Sequence, residues 1–426
     1  MDLLLRRVIL GAGAIAAVTA FAASQVAGAG RQTSLGVEGA LNSNVSVAAA
    51  GARVVLTWAA RSGAATDVYA AFSQDGGVSF GPPLRVNDVS GDARVSGEQA
   101  PRVGVGERVA VAWESRQAGL SLVRTASATS EARAFTPAVN VHPDALAGAR
   151  GWASLAVSPR GTVHVAWLDG RGDGAAAASA APAAAAASAA GARHAMRQDL
   201  FQAVLTPDGA RHEVRLATNV CFCCKTAVAA GSDGAVYVAW RHIYPPNLRD
   251  IAVARSDDGG RTFGQPSRMS EDGWAIDGCP DDGPSLAVDA RGVVHVAWPT
   301  WVAESDRKGI FYSYSADGGR SFAPRLRVDD GEGSAAHPQL AAAGGRVLVL
   351  WDQLHAGGGR RVRMREIDGD PLAKSWTPRP RAPETLSDES AAATYPAVAA
   401  TNDAFVAAWT EEAKAGSRIR VERLGL

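Results

Sequence analysis

Seven short apolar segments, each ending in tryptophan, recur along the chain: residues 54–58 (VVLTW), 109–113 (VAVAW), 163–167 (VHVAW), 236–240 (VYVAW), 294–298 (VHVAW), 347–351 (VLVLW) and 405–409 (FVAAW). Apolar, largely β-branched runs bounded by glycine have the pattern of buried strands. Each is preceded by a second such run, as in residues 101–105 (PRVGV), 284–288 (PSLAV), 338–342 (PQLAA) and 396–400 (PAVAA). A third follows, as in residues 67–72 (DVYAAF), 250–255 (DIAVAR) and 309–314 (GIFYSY), then a fourth after a tight turn, as in residues 84–86 and 326–328, both LRV. Four strands per unit with no helical period between them predict an all-β fold, a β-propeller of four antiparallel strands per blade. Seven units predict seven blades. The last unit ends after its third strand, residues 418–424, so residues 33–41 (TSLGVEGAL) are expected to supply the missing strand and close the ring, which removes free sheet edges.

The tryptophans are spaced by 55, 54, 73, 58, 53 and 58 residues, and the outlier has a visible cause. Residues 174–192 are almost all alanine, an insertion between the second and third strands of unit three. Pro182 interrupts it and a segment this short is marginal as a lone helix, so it is expected to be a surface loop without chemistry. At the start of the chain, Arg6 and Arg7 precede an apolar stretch over residues 8–23 and a small-residue site at Ala27-Gly28-Ala29, the make-up of an export signal covering residues 1–29. The arginine pair leaves both the general and the twin-arginine routes open. Residues 30–426 then form one domain, periplasmic or secreted. Beyond the signal no apolar run has the ~18 residues of a membrane span. The chain has 43 basic and 43 acidic residues, a balance that excludes a nucleic-acid binder, which needs a basic face. Losing residues 1–29 leaves a net charge of −1. A monomer is expected.

The turns between third and fourth strands carry a sharper motif. Residues 73–80 (SQDGGVSF), 256–263 (SDDGGRTF) and 315–322 (SADGGRSF) place Ser73, Asp75, Gly77 and Phe80 in the same order as Ser256, Asp258, Gly260 and Phe263, and as Ser315, Asp317, Gly319 and Phe322. The carboxylate can accept backbone N–H groups across the turn, glycine supplies a positive φ, and the aromatic can pack beneath. Thr206-Pro-Asp208-Gly209 and Asp368-Gly369 with Trp376 are weaker copies. These turns resemble the Asp-box, or BNR repeat, of the sialidase superfamily of propellers, over about residues 31–426. The resemblance implies a structural role for the Asp-box, on the face away from the active site. It also offers six blades as the alternative count, and sialidase-like glycoside hydrolysis as the alternative activity. Such chemistry uses an arginine clamp on a carboxylate, a Tyr nucleophile and an Asp acid/base. On that reading Arg241 and Arg249 clamp, Tyr244 attacks and Asp250 is the acid/base; Tyr395 is the other tyrosine outside the strands. The family's Arg-Ile-Pro motif is absent from the sequence, which tilts the reading toward a binding module.

In a propeller the loops opposite the Asp-box turns share one face, and loops on a rigid scaffold usually carry function. Trp152, Trp274 and Trp301 map there, with Glu114, Arg116, Asp169, Arg171, Asp352 and Glu411 after the repeat tryptophans. Aromatic platforms beside paired acids and guanidinium forks suit a small polar ligand or glycan, centred on units four and five. A solvated rim with tryptophan plugging the channel is the plainer alternative. His164 and His295 share a register in two VHVAW strands and are expected to be hydrogen-bonded core residues.

Four cysteines complete the inventory: Cys221, Cys223 and Cys224, and Cys279. Cys221 and Cys279 stand equally far before the tryptophans of units four and five. In an exported chain this favours a Cys221–Cys279 staple, leaving Cys223 and Cys224 over. A thiolate site for copper or zinc is the alternative.

Overall fold

The computed structural model describes residues 33–129, 134–143, 148–171, 197–276, 278, 280–369, 372, 378–413 and 416–426. The export segment 1–29, the insertion 174–192, Trp376 and Cys279 lie outside the described residues. Among those described there are strands and turns and no α-helix.

The seven sequence units are seven antiparallel strand sets. Unit one is Leu41–Ala50, Arg53–Ser62, Ala65–Ser73 and Leu84–Arg85. Unit two has Arg102–Val105, Val109–Gln117, Leu120–Ala128 and Val139–Asn140. Unit three has Arg150–Val157, Val163–Asp169, Arg197–Leu205 and Arg211–Cys221, and unit four Ala227–Ala230, Val236–Tyr244, Leu248–Ser256 and Ser267–Arg268. Unit five has Ser285–Val288, Val294–Val302, Arg307–Ser315 and Leu326–Arg327. Unit six has Ala335–Ala343, Arg346–Leu354 and Arg360–Asp368 with two short edge pieces. Unit seven has Ala392–Ala400, Ala404–Ala413 and Gly416–Gly425, and its fourth strand is Thr33–Leu35 from the start of the chain. That pairing runs from Thr33↔Val421 to Leu35↔Ile419, so it takes three residues of the expected 33–41 segment; Leu41 already belongs to the next sheet. Units three and four share one eight-stranded sheet, because Val220 at the end of the long strand Arg211–Cys221 pairs with His242.

Each tryptophan strand is central in its set, and all seven repeat tryptophans are at most 1% exposed. Because residues two apart in a strand share a face, the buried indole N–H can find a partner two positions on. Trp167 donates to Asp169 Oδ2 (2.9 Å), Trp351 to Gln353 Oε1 (2.9 Å) and Trp240 to His242 Nδ1 (3.3 Å). His295 behaves as expected of a core histidine, with Nδ1 2.8 Å from the Tyr312 hydroxyl. His164 does not: its Nδ1 has no hydrogen-bond partner, and burial drives its pKa down to about 4.

The first strands pack against one another in chain order, from Leu41–Ala50 through Arg102–Val105, Arg150–Val157, Ala227–Ala230, Ser285–Val288 and Ala335–Ala343 to Ala392–Ala400, which packs on Leu41–Ala50 again. A cavity of about 170 Å³ lies among them and is lined from all seven units, with Arg102, Lys225 and Gln339 among its polar walls.

Candidate functional site

In four units the first strand bulges opposite the repeat tryptophan, with register breaks at Ser43/Ser46, Gly151/Ser154, Ala336/Gln339 and Thr394/Ala397. The first residue inside each bulge is left-handed: Asn44 (φ 56°), Trp152 (58°), His337 (56°) and Tyr395 (50°). Gly97 and Asp281, ahead of the first strands of units two and five, adopt the same conformation, at φ 51° and 47°. A bulge re-aims a side chain, and a non-glycine residue held left-handed costs roughly 1–3 kcal/mol, so such residues concentrate where geometry serves function.

Four of them, Gly97, Asp281, His337 and Tyr395, meet over a buried charged floor. His337 Nδ1 lies 2.8 Å from Asp352 Oδ2, which also accepts the Tyr395 backbone N–H at 2.8 Å, while Arg360 pairs with the other carboxylate oxygen. Asp282 accepts the His337 backbone N–H at 3.1 Å and pairs with Lys308 at 3.0 Å. Glu98 pairs with Lys225 and accepts the Gly283 N–H at 2.8 Å; Lys225 also donates to the Pro338 carbonyl at 3.1 Å. The side chains of Glu98, Lys225, Asp282 and Asp352 are at most 3% exposed. Above this floor the His337 and Tyr395 rings lie 4.5 Å apart, both half-buried, and Asp281 is exposed. A Cβ added at Gly97 would stand 3.4 Å from the Asp281 carboxylate and 3.8 Å from the Tyr395 hydroxyl, so glycine keeps that corner open.

The electrostatics follow from burial and pairing. Burial pushes the Glu98 carboxyl up, with Lys225 opposing it and Asp282 adding to it. Burial alone would lower His337, but Asp352, Asp282 and Glu98 outweigh it and its pKa is raised. Burial likewise raises Asp352, and His337 with Arg360 brings it below the usual value. Tyr395 is pushed up to about 12 by burial and then by the carboxylates of Asp352 and Asp281. At neutral pH the cluster of Tyr395, His337 and Asp281 therefore offers a phenolic O–H, an imidazole favoured in its charged form and a carboxyl group side by side.

The residues singled out from the sequence fall elsewhere, with two exceptions, Asp352 and Tyr395. Alternation along the hairpin Val236–Tyr244 and Leu248–Ser256 sends Arg241 and Arg249 to one face and Tyr244 and Asp250 to the other. The four do not form one site. Arg241 is fully buried and donates to the carbonyls of Asp282 (3.3 Å), Arg249 (2.8 Å) and Pro299 (2.7 Å), with its guanidinium 4.9 Å over the Trp274 ring. Asp250 is held by Arg268 and the N–H groups of Asp272 and Gly273. Tyr244 lies beneath Arg268 and beside His242, and burial pushes its phenol up to about 12, away from a nucleophilic phenolate. Trp274 is 7% exposed, a packing residue, whereas Trp301 is 41% exposed and open to solvent. Burial raises Glu114 to about 7; Arg116, two residues on toward the end of the same strand, is exposed. Trp152 packs on the Cys221, Cys223 and Cys224 cluster.

Cys221 and Cys224 are free, buried thiols, which rules out the expected Cys221–Cys279 staple. The Cys224 Sγ lies 3.0 Å from Cys221 Sγ, and Cys223 Sγ lies 3.8 Å from it. Arg249 Nη1 is 3.3 Å from Cys221 Sγ. The three sulfurs lie within 4.8 Å of one another, but Cys223 is disulfide-bonded, which leaves two thiols at this spot, and the guanidinium opposes a cation beside them.

The three S-x-D-G-G turns share one hydrogen-bond scheme. In the first, Asp75 Oδ1 accepts the Ser73 hydroxyl (2.7 Å) and the N–H groups of Val78 (3.1 Å) and Ser79 (2.9 Å). Asp258 and Asp317 repeat it with Ser256, Arg261 and Thr262, and with Ser315, Arg320 and Ser321. These bonds, led by the Ser79 hydroxyl, hold Asp75 down to about 2. Phe80, Phe263 and Phe322 pack against the core beside their turns.

No protein-family model matches the sequence, and a search of curated proteins finds no match. Among solved structures, a protein of unknown function from Dyadobacter fermentans is similar at 14% identity, covering 93% of this chain and 98% of its own, with a TM-score of 0.50. Trypanosoma rangeli sialidase is similar at 11% identity over 90% of this chain and 55% of its own (TM-score 0.47). This chain thus spans about half the length of that sialidase. The polysaccharide lyase Uly1 is similar at 11% identity over 92% and 91% (TM-score 0.49). The likeness to the Dyadobacter protein is one of fold.

Proposed function

We propose that this chain is an exported, seven-bladed Asp-box β-propeller that binds a polar, polyhydroxylated ligand of the glycan class at the mouth formed by Asp281, His337 and Tyr395. The single observation that carries the reading is the set of left-handed residues aimed together over a fully buried charged floor. Donors and acceptors that converge on one concavity, held by bulges rather than by mobile loops, are what a hydroxyl-rich ligand requires. Seven blades are supported by the cyclic packing of first strands and by the cavity lined from all seven units, and closure by the Thr33–Leu35 pairing. The shared turn scheme supports the Asp-box reading. Export rests on the composition of residues 1–29.

Hydrolysis at Tyr244 has less support, since Arg241 is fully engaged with backbone carbonyls and Tyr244 faces away from it. The test is titration calorimetry against neutral and acidic oligosaccharides, with an assay for their cleavage. Saturable binding that weakens at least tenfold in Tyr395→Phe with unchanged melting temperature, and in His337→Gln measured below its own melting transition, supports the mouth as the site. Binding untouched by either substitution, or no binding across the panel, overturns it.

A further inference from the structure

The Cys221 and Cys224 pair plays no part in the mouth, yet it is arranged for chemistry. The two are spaced Cys-x-x-Cys, and their sulfurs sit 3.0 Å apart with the Cys224 thiol donating to Cys221. On the other side of Cys221, Arg249 Nη1 approaches to 3.3 Å. Arg249 is itself 2% exposed, held through Nη2 to the Ile276 carbonyl (3.3 Å) and by its backbone N–H to the Trp274 carbonyl (2.8 Å). One sulfur is thus placed to be the anion and the other to carry the proton. A structural cysteine in an apolar core has neither device. The pair is roofed by Trp152 and Phe222, both only partly buried, while the sulfurs themselves are closed to anything large.

We propose that Cys221 and Cys224 form a peroxide-reactive dithiol, with Cys221 as the attacking sulfur, Cys224 as the resolving sulfur and hydrogen peroxide as the oxidant. The Cys221 thiolate attacks one oxygen of the peroxide; the O–O bond breaks, Cys221 becomes a sulfenic acid and hydroxide leaves. The Cys224 sulfur then attacks the Cys221 sulfur, and its proton leaves with the displaced hydroxyl as water. Two thiol sulfurs are oxidised to one disulfide, and one peroxide is reduced to water and hydroxide. Burial selects the oxidant, because a molecule of two heavy atoms can pass where a bulky disulfide cannot. The Cys224 hydrogen bond, followed by the charges of Arg249 and Arg241, overcomes burial and holds Cys221 down to about 6, so the thiolate is present at neutral pH. Burial drives Cys224 well above the ordinary thiol value, which keeps it protonated until the sulfenic acid forms.

The experiment uses the purified full chain, mildly reduced and then exposed to hydrogen peroxide without denaturant, followed by alkylation and peptide mapping. The expected product is a Cys221–Cys224 disulfide that a dithiol reductant reverses. Its formation rate should follow a titration with midpoint near 6, not the ordinary thiol value of 9. Cys224→Ser should stop at a sulfenic acid on Cys221, captured by a dimedone probe. Arg249→Gln should move that midpoint upward and slow the reaction most at pH below the midpoint, where each pKa unit is roughly tenfold in thiolate. The inference is overturned if both thiols survive peroxide in the native wild-type chain, or if Cys221 bonds to a cysteine other than Cys224. It is equally overturned if copper or zinc co-purifies and shields both thiols until it is chelated. Glycan binding at the mouth is a separate measurement, and neither result decides the other.

Discussion

Glu98 and Lys225 stand 127 positions apart in the chain and form an ion pair in which both side chains are at most 3% exposed. Glu98 enters from unit two, Lys225 from unit four, and their remaining bonds reach Gly283 and Pro338 at the entries to units five and six. The pair ties four units together across the middle of the molecule. Removing one partner from a buried pair leaves an uncompensated charge, which costs about 3–5 kcal/mol. Lys225→Met is therefore expected to lower stability by about that much in chemical denaturation, and adding Glu98→Gln to recover part of the loss. A single Lys225→Met chain as stable as the wild type would contradict the pairing.

The raised pKa of His337 predicts a slope of stability with pH. Its ordinary value is 6.5 and the folded state raises it, so the contribution is fully present below about 6.5 and is lost as pH climbs through the folded-state pKa. Melting temperature should fall as pH rises above about 6.5, and His337→Gln should flatten that part of the curve. A wild-type curve already flat there would count against it.

Two glycines separate backbone strain from packing. Gly63 (φ 60°) has nothing within 4 Å of an added Cβ, while at Gly77 (φ 87°) the Cβ would lie 2.8 Å from Val406 Cγ2 in unit seven. Gly63→Ala should cost about 1 kcal/mol for the left-handed conformation alone. Gly77→Ala should cost about 2–3 kcal/mol, because overpacking is added. Equal losses in urea titrations would mean that the turn does not seat against its neighbour.

Arg241 distinguishes a structural from a ligand-clamping arginine. Its three bonds go to backbone carbonyls of three separate segments, and a lysine cannot reproduce that fork. Arg241→Lys should lower stability by about 2–3 kcal/mol, each buried acceptor left bare costing about 1–3 kcal/mol. Its effect on the affinity for oligosaccharides, measured by calorimetry below the melting transition, should be small. A large affinity loss with unchanged melting temperature would restore the clamp reading.

The strand repeat was legible because tryptophan, β-branched neighbours and glycine boundaries recur at nearly fixed distance, and burial of that side chain is a strong, local demand. The mouth was not, because its residues belong to different units and share no motif in sequence. A signal did exist in register. Asn44, His337 and Tyr395 lie equally far before Trp58, Trp351 and Trp409, and Trp152 lies one residue further before Trp167. Aligning the units on their tryptophans places Asn44, His337 and Tyr395 in one column and Trp152 in the next, ahead of the tryptophan and not in the loops after it. Asp352 was found because it follows a repeat tryptophan directly. The arginine–tyrosine set failed for a simple reason: adjacent residues in a strand point to opposite faces. Cys221 was assigned to a staple by sequence distance, which says nothing of how the neighbouring Cys224 turns its sulfur back.

The sheet shared by units three and four makes the molecule unequal around its circumference. At that join a strand eleven residues long runs on into the neighbouring set through Val220 and His242. At the join of the chain ends the ladder among the described residues is Thr33, Ser34 and Leu35 against Val421, Arg420 and Ile419. The second join is therefore the natural tear line. A pull applied at the two ends would act on three rungs of ladder first, and the remaining units would part only after that clasp had gone.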